Sequence, residues 1–154
     1  MLMTIIPGDL DDSRVRAVLE HHVTSARAAT APGSAHALDL EGLKAPDIKF
    51  WAAWDEDALL GVGALKRLSS DHGEIKSMHT AQAARRTGVG SAMLRHIVAT
   101  ARARGMSRLS LETGSWDHFA PARALYARHG FVECGPFAAY VLDPNSVFMT
   151  LEIP

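Results

Sequence analysis

Apolar residues recur at helical spacing in three parts of the chain, with polar residues between them. This spacing puts the apolar side chains on one face and predicts amphipathic helices. The first helix is predicted over Asp12 to Ala28, the second from Val89 to near Gly105, and the third from Ala122 to Arg128, closed by Gly130. The apolar positions of the first two are Val15, Val18, Leu19, Val23 and Ala26, then Val89, Met93, Leu94, Ile97, Val98 and Ala101.

Seven short apolar segments are bounded by turn-forming residues, which is typical of strands. They cover residues 3–6, 48–54, 58–68, 73–80, 107–113, 131–135 and 146–153. Helices and strands neither alternate strictly nor form separate blocks, so we predict an α+β fold with one mixed sheet and helices on both faces. The irregular segment 29–47, with at most a short helical turn near 38–43, is predicted to be a binding loop.

Length and charge narrow the class of protein. A chain of 154 residues is predicted to form one domain over residues 1–154. The net charge of −1 disfavours a nucleic-acid binder, because such proteins usually carry a basic excess. The single cysteine, Cys134, fits a reducing compartment. With neither a secretory signal nor a long apolar run in the sequence, we expect a cytoplasmic protein with no membrane or nucleic-acid partner.

Two arginines and two glycines stand together where a predicted strand leads into the second helix. Gly88 and Gly90 allow a ligand to approach the backbone closely. The free amides of a helix start bind anions, and the guanidinium groups of Arg85 and Arg86 suit phosphate oxygens. The sequence therefore predicts a pyrophosphate site, although an ordinary loop–helix junction with solvated arginines is an alternative. Neither a dinucleotide fingerprint nor a P-loop motif is present in the sequence.

The segment "RRTGVG", residues 85–90, resembles the Arg/Gln-x-x-Gly-x-Gly/Ala signature of the GNAT N-acetyltransferase superfamily. The strands "GEIKSMHT" and "LSLET", the helix "VGSAMLRHIVATARARG" and the segment "ARALYARHGF" are also similar to that family, in the same order. The resemblance implies the GNAT fold of a small bacterial single-domain member, with a mostly antiparallel sheet whose two central parallel strands splay apart. It also implies acetyl-CoA as acyl donor, bound by Met78, His79, Thr80, Arg85, Arg86, Thr87, Gly88, Val89, Gly90 and Ser91.

Acyl transfer from a thioester to an amine must remove a proton from the amine and stabilise the departing thiol. At the thiol, the resemblance implies Tyr126 as general acid or hydrogen-bond donor. The alternative role for Tyr126 is a core aromatic that packs beside Leu125 and Phe131.

Glu74 is the predicted base for the amine. It precedes Gly88 by fourteen positions, and some protein-acetylating members of the family carry a glutamate base at this spacing. The alternative is that Glu74 is solvated or paired, for example with Lys76 on the same face of the strand. His79 is the rival base because of its titration range.

The acceptor site is predicted to involve His36, Asp39 and the loop around them, with the segment after Phe137 as a cover. Phe119 stands where the family often carries an asparagine that contacts the cofactor. No His-Glu-x-x-His or Cys-x-x-Cys spacing indicates a metal site in the sequence.

The predicted function is the transfer of acetyl from acetyl-CoA to a primary amine of a small molecule or peptide, by direct attack in a ternary complex and without a metal. A non-catalytic CoA-binding or acyl-CoA-binding module, acting as a sensor or in docking, is the alternative. Both a monomer and a homodimer are compatible with the sequence.

Overall fold

The computed structural model describes residues 2–154, and each predicted helix and strand is present in it. The helices are α1 (Ser13–Ala28), α2 (Leu40–Leu43), α3 (Val89–Ala103) and α4 (Ala120–Arg128). The strands are β1 (Thr4–Pro7), β2 (Ile48–Asp55), β3 (Ala58–Arg67), β4 (His72–Thr80), β5 (Arg108–Gly114), β6 (Val132–Cys134) and β7 (Ser146–Glu152). Short 3-10 helices at Gln82–Ala84 and Asp117–Phe119 precede α3 and α4.

Local sequence signals set the ends of the helices. Asp12 caps α1, because its carboxylate accepts a hydrogen bond of 2.8 Å from the amide of Arg14. Gly105 and Gly130 follow α3 and α4 with φ angles of 81° and 93°, in the left-handed region that glycine enters without strain.

The seven strands form one sheet in the order β1-β2-β3-β4-β5-β7-β6. Every neighbouring pair is antiparallel except β4 and β5, which run parallel. The mixed sheet with one parallel pair at its centre is therefore confirmed.

The parallel pair separates soon after it begins. β4 and β5 are paired only where His72–Glu74 meets Arg108–Ser110. Beyond these residues β4 stays with β3 and β5 stays with β7, so a gap opens between them. A β-bulge falls in the same stretch of β4, where the register with β3 shifts and Ser77 has a φ of 56°. The predicted splay is confirmed, and it leaves unpaired backbone in the middle of the sheet.

Two apolar clusters pack on the opposite faces of the sheet. Helices α1 and α2 cover one face, where Val15, Leu19 and Leu43 pack with residues of β2 and β3. Helices α3 and α4 cover the other, in a cluster that includes Met93, Leu94, Ile97, Tyr126, Leu65, Ile75, Leu109 and Leu111. The gap between β4 and β5 is therefore enclosed by helices on both sides.

Gly114, at the end of β5, gives a test of this packing. A Cβ atom at this position would lie 2.0 Å from Cδ2 of Phe119, whose ring covers the glycine. We expect Gly114→Ala to lower the free energy of unfolding by roughly 1–3 kcal/mol, because the ring must be displaced. Urea denaturation measures the loss. Gly135→Ala is the control, since nothing lies within 4 Å of its added Cβ. Equal stability of the two variants would contradict the packing.

Candidate active site

The turn before α3 exposes a row of backbone amides. Arg86 and Gly88 have φ angles of 65° and 86°, and the hydroxyl of Thr87 ties the turn to the carbonyl oxygen of Ala84. Among residues 2–154, no acceptor takes a hydrogen bond from the amides of Arg86 through Ser91. Left-handed residues within a turn aim successive amides at one point, and the start of α3 adds its dipole. Such an arrangement of amides can bind an anion.

Charge and open space reinforce the anion site. The side chains of Arg85 and Arg86 are exposed, and neither takes part in an ion pair within the described part of the chain. A Cβ added to Gly88 would meet nothing within 4 Å, so this face of the turn is open. Gly90 has a different reason to be glycine, because its added Cβ would lie 3.0 Å from Cδ2 of Leu125.

A cavity of about 120 Å³ occupies the gap between the splayed strands. Residues 74–78 of β4 and 112–114 of β5 form its two walls. Side chains of α1, α4 and the loops before β2 and β7 complete the lining. Among the predicted donor-binding residues, Met78 lines this cavity, and Val89 to Ser91 lie on the neighbouring start of α3.

Tyr126 reaches the cavity from α4. Its side chain lines the cavity wall and is only 7 % exposed, and its ring lies 5.9 Å from that of Phe131. Burial raises the pKa of its hydroxyl well above the ordinary value. The predicted core contact with Phe131 is therefore present, and the hydroxyl stays protonated at neutral pH. The role of Tyr126 as general acid or hydrogen-bond donor remains a prediction.

Glu74 also lines the cavity, but its carboxylate is already engaged. Oε2 accepts hydrogen bonds of 3.1 Å from Nζ of Lys76 and 2.5 Å from the hydroxyl of Tyr140. Lys76 donates a second bond of 2.9 Å to that hydroxyl. The side chains of Glu74 and Lys76 are 4 % and 10 % exposed, so this is a buried ion pair. Glu74 is thus paired with Lys76, and the role of base remains a prediction.

A second carboxyl, Glu112 of β5, lines the same cavity and was missed by the sequence reasoning. Burial raises its pKa to about 7, and the nearby carboxylate of Glu74 adds to this rise while Lys76 opposes it. A carboxyl with this pKa exchanges a proton near neutral pH. The sequence does contain a signal for this residue. In the alternating strand "LSLET", Glu112 lies on the face opposite the apolar residues.

Comparisons with known proteins agree with this architecture. The model of the GNAT acetyltransferase family matches residues 16–131. The chain belongs to the GNAT acetyltransferase family. It is 50 % identical to the uncharacterized N-acetyltransferase YsnE of Bacillus subtilis, over 98 % of this chain and 100 % of that protein.

Two solved structures show the same GNAT fold. One is a Klebsiella pneumoniae protein assigned as an acyl-CoA N-acyltransferase, with a TM-score of 0.82, 28 % identity and coverage of 99 % of this chain and 98 % of that chain. The other is a GNAT family acetyltransferase from Elizabethkingia anophelis with acetyl-CoA bound, with a TM-score of 0.72, 16 % identity and coverage of 98 % of both chains.

Two histidines of this acetyltransferase meet beside β4. Nδ1 of His22, on α1, lies 3.1 Å from Nδ1 of His79, so one of these two nitrogens carries a proton that the other accepts. Burial lowers the pKa of each ring to about 4. A histidine with so low a pKa is a weak base, which disfavours His79 as the base for the amine.

Two loops meet above the cavity of the acetyltransferase. The hydroxyl of Ser34 donates a hydrogen bond of 2.7 Å to Oδ2 of Asp143. His36 lines the cavity, and its ring lies 5.2 Å from that of Tyr140. The predicted loop and the segment after Phe137 therefore join over the cavity, and the role of His36 in binding an acceptor remains a prediction. Asp39 is not brought into the cavity lining, and its carboxylate instead caps α2 by accepting a 2.9 Å bond from the amide of Gly42.

Within residues 2–154, no three His, Cys, Asp or Glu side chains are placed to hold a metal ion. None of the helices in this part of the chain is both long and apolar enough to span a bilayer.

Proposed function

We propose that the protein transfers acetyl from acetyl-CoA to a primary amine of a small molecule or peptide, by direct attack in a ternary complex. The observation that carries this proposal is the pair of sites along β4 and α3. An open anion-binding turn lies at the start of α3, and a cavity with a buried tyrosine and a carboxyl of pKa about 7 lies in the gap beside β4.

The turn fits the pyrophosphate of acetyl-CoA. The amides of Arg86 through Ser91 have no acceptor within the described residues, and two free guanidinium groups stand beside them. The backbone of Met78, His79 and Thr80 borders the gap and fits the pantetheine arm, which pairs as an added strand would. When bound, acetyl-CoA supplies the thioester that the amine attacks.

Glu112 is the base that we propose for the amine. A lysine-like amine has a pKa of about 10.4 and is mostly protonated at neutral pH. The carboxyl of Glu112, with a pKa of about 7, is partly ionised there and is a stronger base than an ordinary glutamate. Glu74 remains the alternative base, but its carboxylate already accepts hydrogen bonds from Lys76 and Tyr140.

Tyr126 stabilises the departing thiol in this mechanism. A thiol has a pKa of about 8.5, and the raised pKa of Tyr126 makes full proton transfer to the thiolate unfavourable. The phenol instead donates a hydrogen bond to the sulfur as negative charge develops there.

We expect Tyr126→Phe to lower kcat by about 10²–10³-fold, because the donor to the sulfur is lost while the ring packing is kept. The dissociation constant of CoA should stay within a few-fold of wild type. Steady-state kinetics and calorimetry on the same preparations measure both values. A kcat within twofold of wild type, in a variant with an unchanged thermal melt, would leave Tyr126 as a core residue only.

The function itself is tested with acetyl-CoA and a panel of small amines and lysine peptides. Thiol release reports turnover, and mass spectrometry identifies the acetylated product. The proposal expects at least one amine to be acetylated, with transfer reduced in Tyr126→Phe. CoA binding without acetylation of any amine would favour the alternative of a non-catalytic sensor or docking module.

A further inference from the structure

A histidine outside the catalytic cavity touches the anion-binding turn. His129 follows the last residue of α4, and Nε2 of its ring lies 3.0 Å from Oγ of Ser91. Ser91 belongs to the first turn of α3, and its amide is one of those without an acceptor in the described chain. The contact therefore joins the end of α4 to the turn that we propose for the pyrophosphate.

The direction of this hydrogen bond depends on the charge of His129. Nε2 of a neutral ring can accept the proton of the Ser91 hydroxyl, which is then turned away from the anion site. Nε2 of a protonated ring must donate to Oγ, and the Ser91 proton is then free to point elsewhere. A proton on Nε2 thus decides whether Ser91 can offer its hydroxyl to a ligand, and the charged ring always carries that proton.

The free protein favours the neutral ring. Burial lowers the pKa of His129 below its ordinary value, and two cations facing it, Arg95 of α3 and Arg128 of α4, act in the same direction. A phosphate bound beside Ser91 would offset these positive charges and favour the protonated ring, since an anion stabilises a nearby cation.

We propose that His129 is a positioning residue of the donor site, which takes up a proton when CoA binds and turns the Ser91 hydroxyl toward the pyrophosphate. This inference rests on the proposed use of CoA at the turn. It makes donor affinity depend on pH: binding is stronger below the pKa of His129 in the free protein, and weakens as pH rises through the higher pKa of the complex.

Calorimetry in buffers of different ionisation enthalpy measures the protons taken up on binding. Dephospho-CoA is the probe because it lacks the 3′-phosphate of CoA. The second pKa of that phosphate is about 6, so it would itself take up or release protons during the titration. We expect wild type to take up a fraction of a proton at pH values between the lowered pKa of His129 in the free protein and its higher pKa in the complex. In His129→Gln, which keeps a polar side chain but cannot titrate, this uptake should fall, leaving only the protons exchanged by Glu112, which lines the cavity and has a pKa of about 7.

Two further variants separate positioning from a general structural effect. Ser91→Ala should lower dephospho-CoA affinity by about five- to tenfold at pH 6, with a smaller loss at pH 8. His72→Gln is the matched control, because Nε2 of His72 lies 2.7 Å from Oγ of Ser110 in a similar pair at the other end of β4. Its proton uptake should equal that of wild type.

The outcomes distinguish this inference from the proposed function. Binding of dephospho-CoA with no proton uptake in wild type, or with equal uptake in His129→Gln, would overturn the role of His129 and leave the acetyltransferase proposal standing. Failure of wild type to bind either dephospho-CoA or CoA would overturn both.

Discussion

Glu112→Gln is expected to lower kcat/KM for an amine acceptor by about 10²–10⁴-fold at neutral pH, because the amide keeps the size of the side chain but cannot accept the proton. The wild-type rate should rise with pH through the ionisation of Glu112, whose pKa is about 7. In the variant this rise should be absent. Part of the rate should return at high pH, where more of the amine is already free.

The matching substitution Glu74→Gln shows which of the two carboxyls of the cavity acts as the base. Its kcat/KM is measured beside that of Glu112→Gln, from pH 6 to 10 with one acceptor. If Glu112 is the base, Glu74→Gln keeps an ionisation in its pH profile, moved to lower pH because the Glu74 charge no longer raises the pKa of Glu112. Its other effect is on stability, through the lost ion pair with Lys76. Loss of that ionisation in Glu74→Gln, with a normal profile in Glu112→Gln, would assign the base to Glu74.

Gly88→Asp is expected to abolish the binding of acetyl-CoA, for which we expect a micromolar dissociation constant. The new carboxylate would stand among the amides that we assign to the pyrophosphate and would repel its charge. The Cβ would also fill the open face of the turn, at a φ of 86° where an aspartate is strained. Calorimetry with CoA measures the loss directly.

Gly105→Asp controls for backbone strain. Gly105 has a φ of 81°, its added Cβ would also meet nothing within 4 Å, and it lies beyond the opposite end of α3. We expect this variant to bind CoA as wild type does. Unchanged CoA affinity in a folded Gly88→Asp protein, or equal loss in both variants, would argue against a pyrophosphate at the turn.

The sequence predicted the fold well because its signals are local. The spacing of Val89, Met93 and Ile97 predicted α3, and the apolar segments predicted every strand. The candidate anion site at residues 85–90 could also be predicted from the sequence, because glycines and arginines at a strand–helix junction form a motif of a few consecutive residues. The splay of the parallel strands came from family resemblance, as local sequence does not specify how two distant strands diverge.

The electrostatics of the cavity could not be predicted from local sequence patterns. The bond between Tyr140 and Glu74 joins residues 66 positions apart, and no local pattern in the sequence predicts it. The raised pKa of Glu112 depends on burial by loops from both ends of the chain, which only the folded arrangement brings together. Asp39 shows the opposite case, since a local role as the cap of α2 was overlooked in favour of a distant one.

A crystal structure of the complex with CoA tests most directly whether the gap between β4 and β5 is the reaction site. We expect the pyrophosphate to accept hydrogen bonds from the amides of residues 86–91. We also expect the sulfur to lie in the gap, within hydrogen-bond reach of the Tyr126 hydroxyl and on the side open to Glu112. A pyrophosphate bound away from the turn, or a sulfur outside the gap, would contradict this expectation.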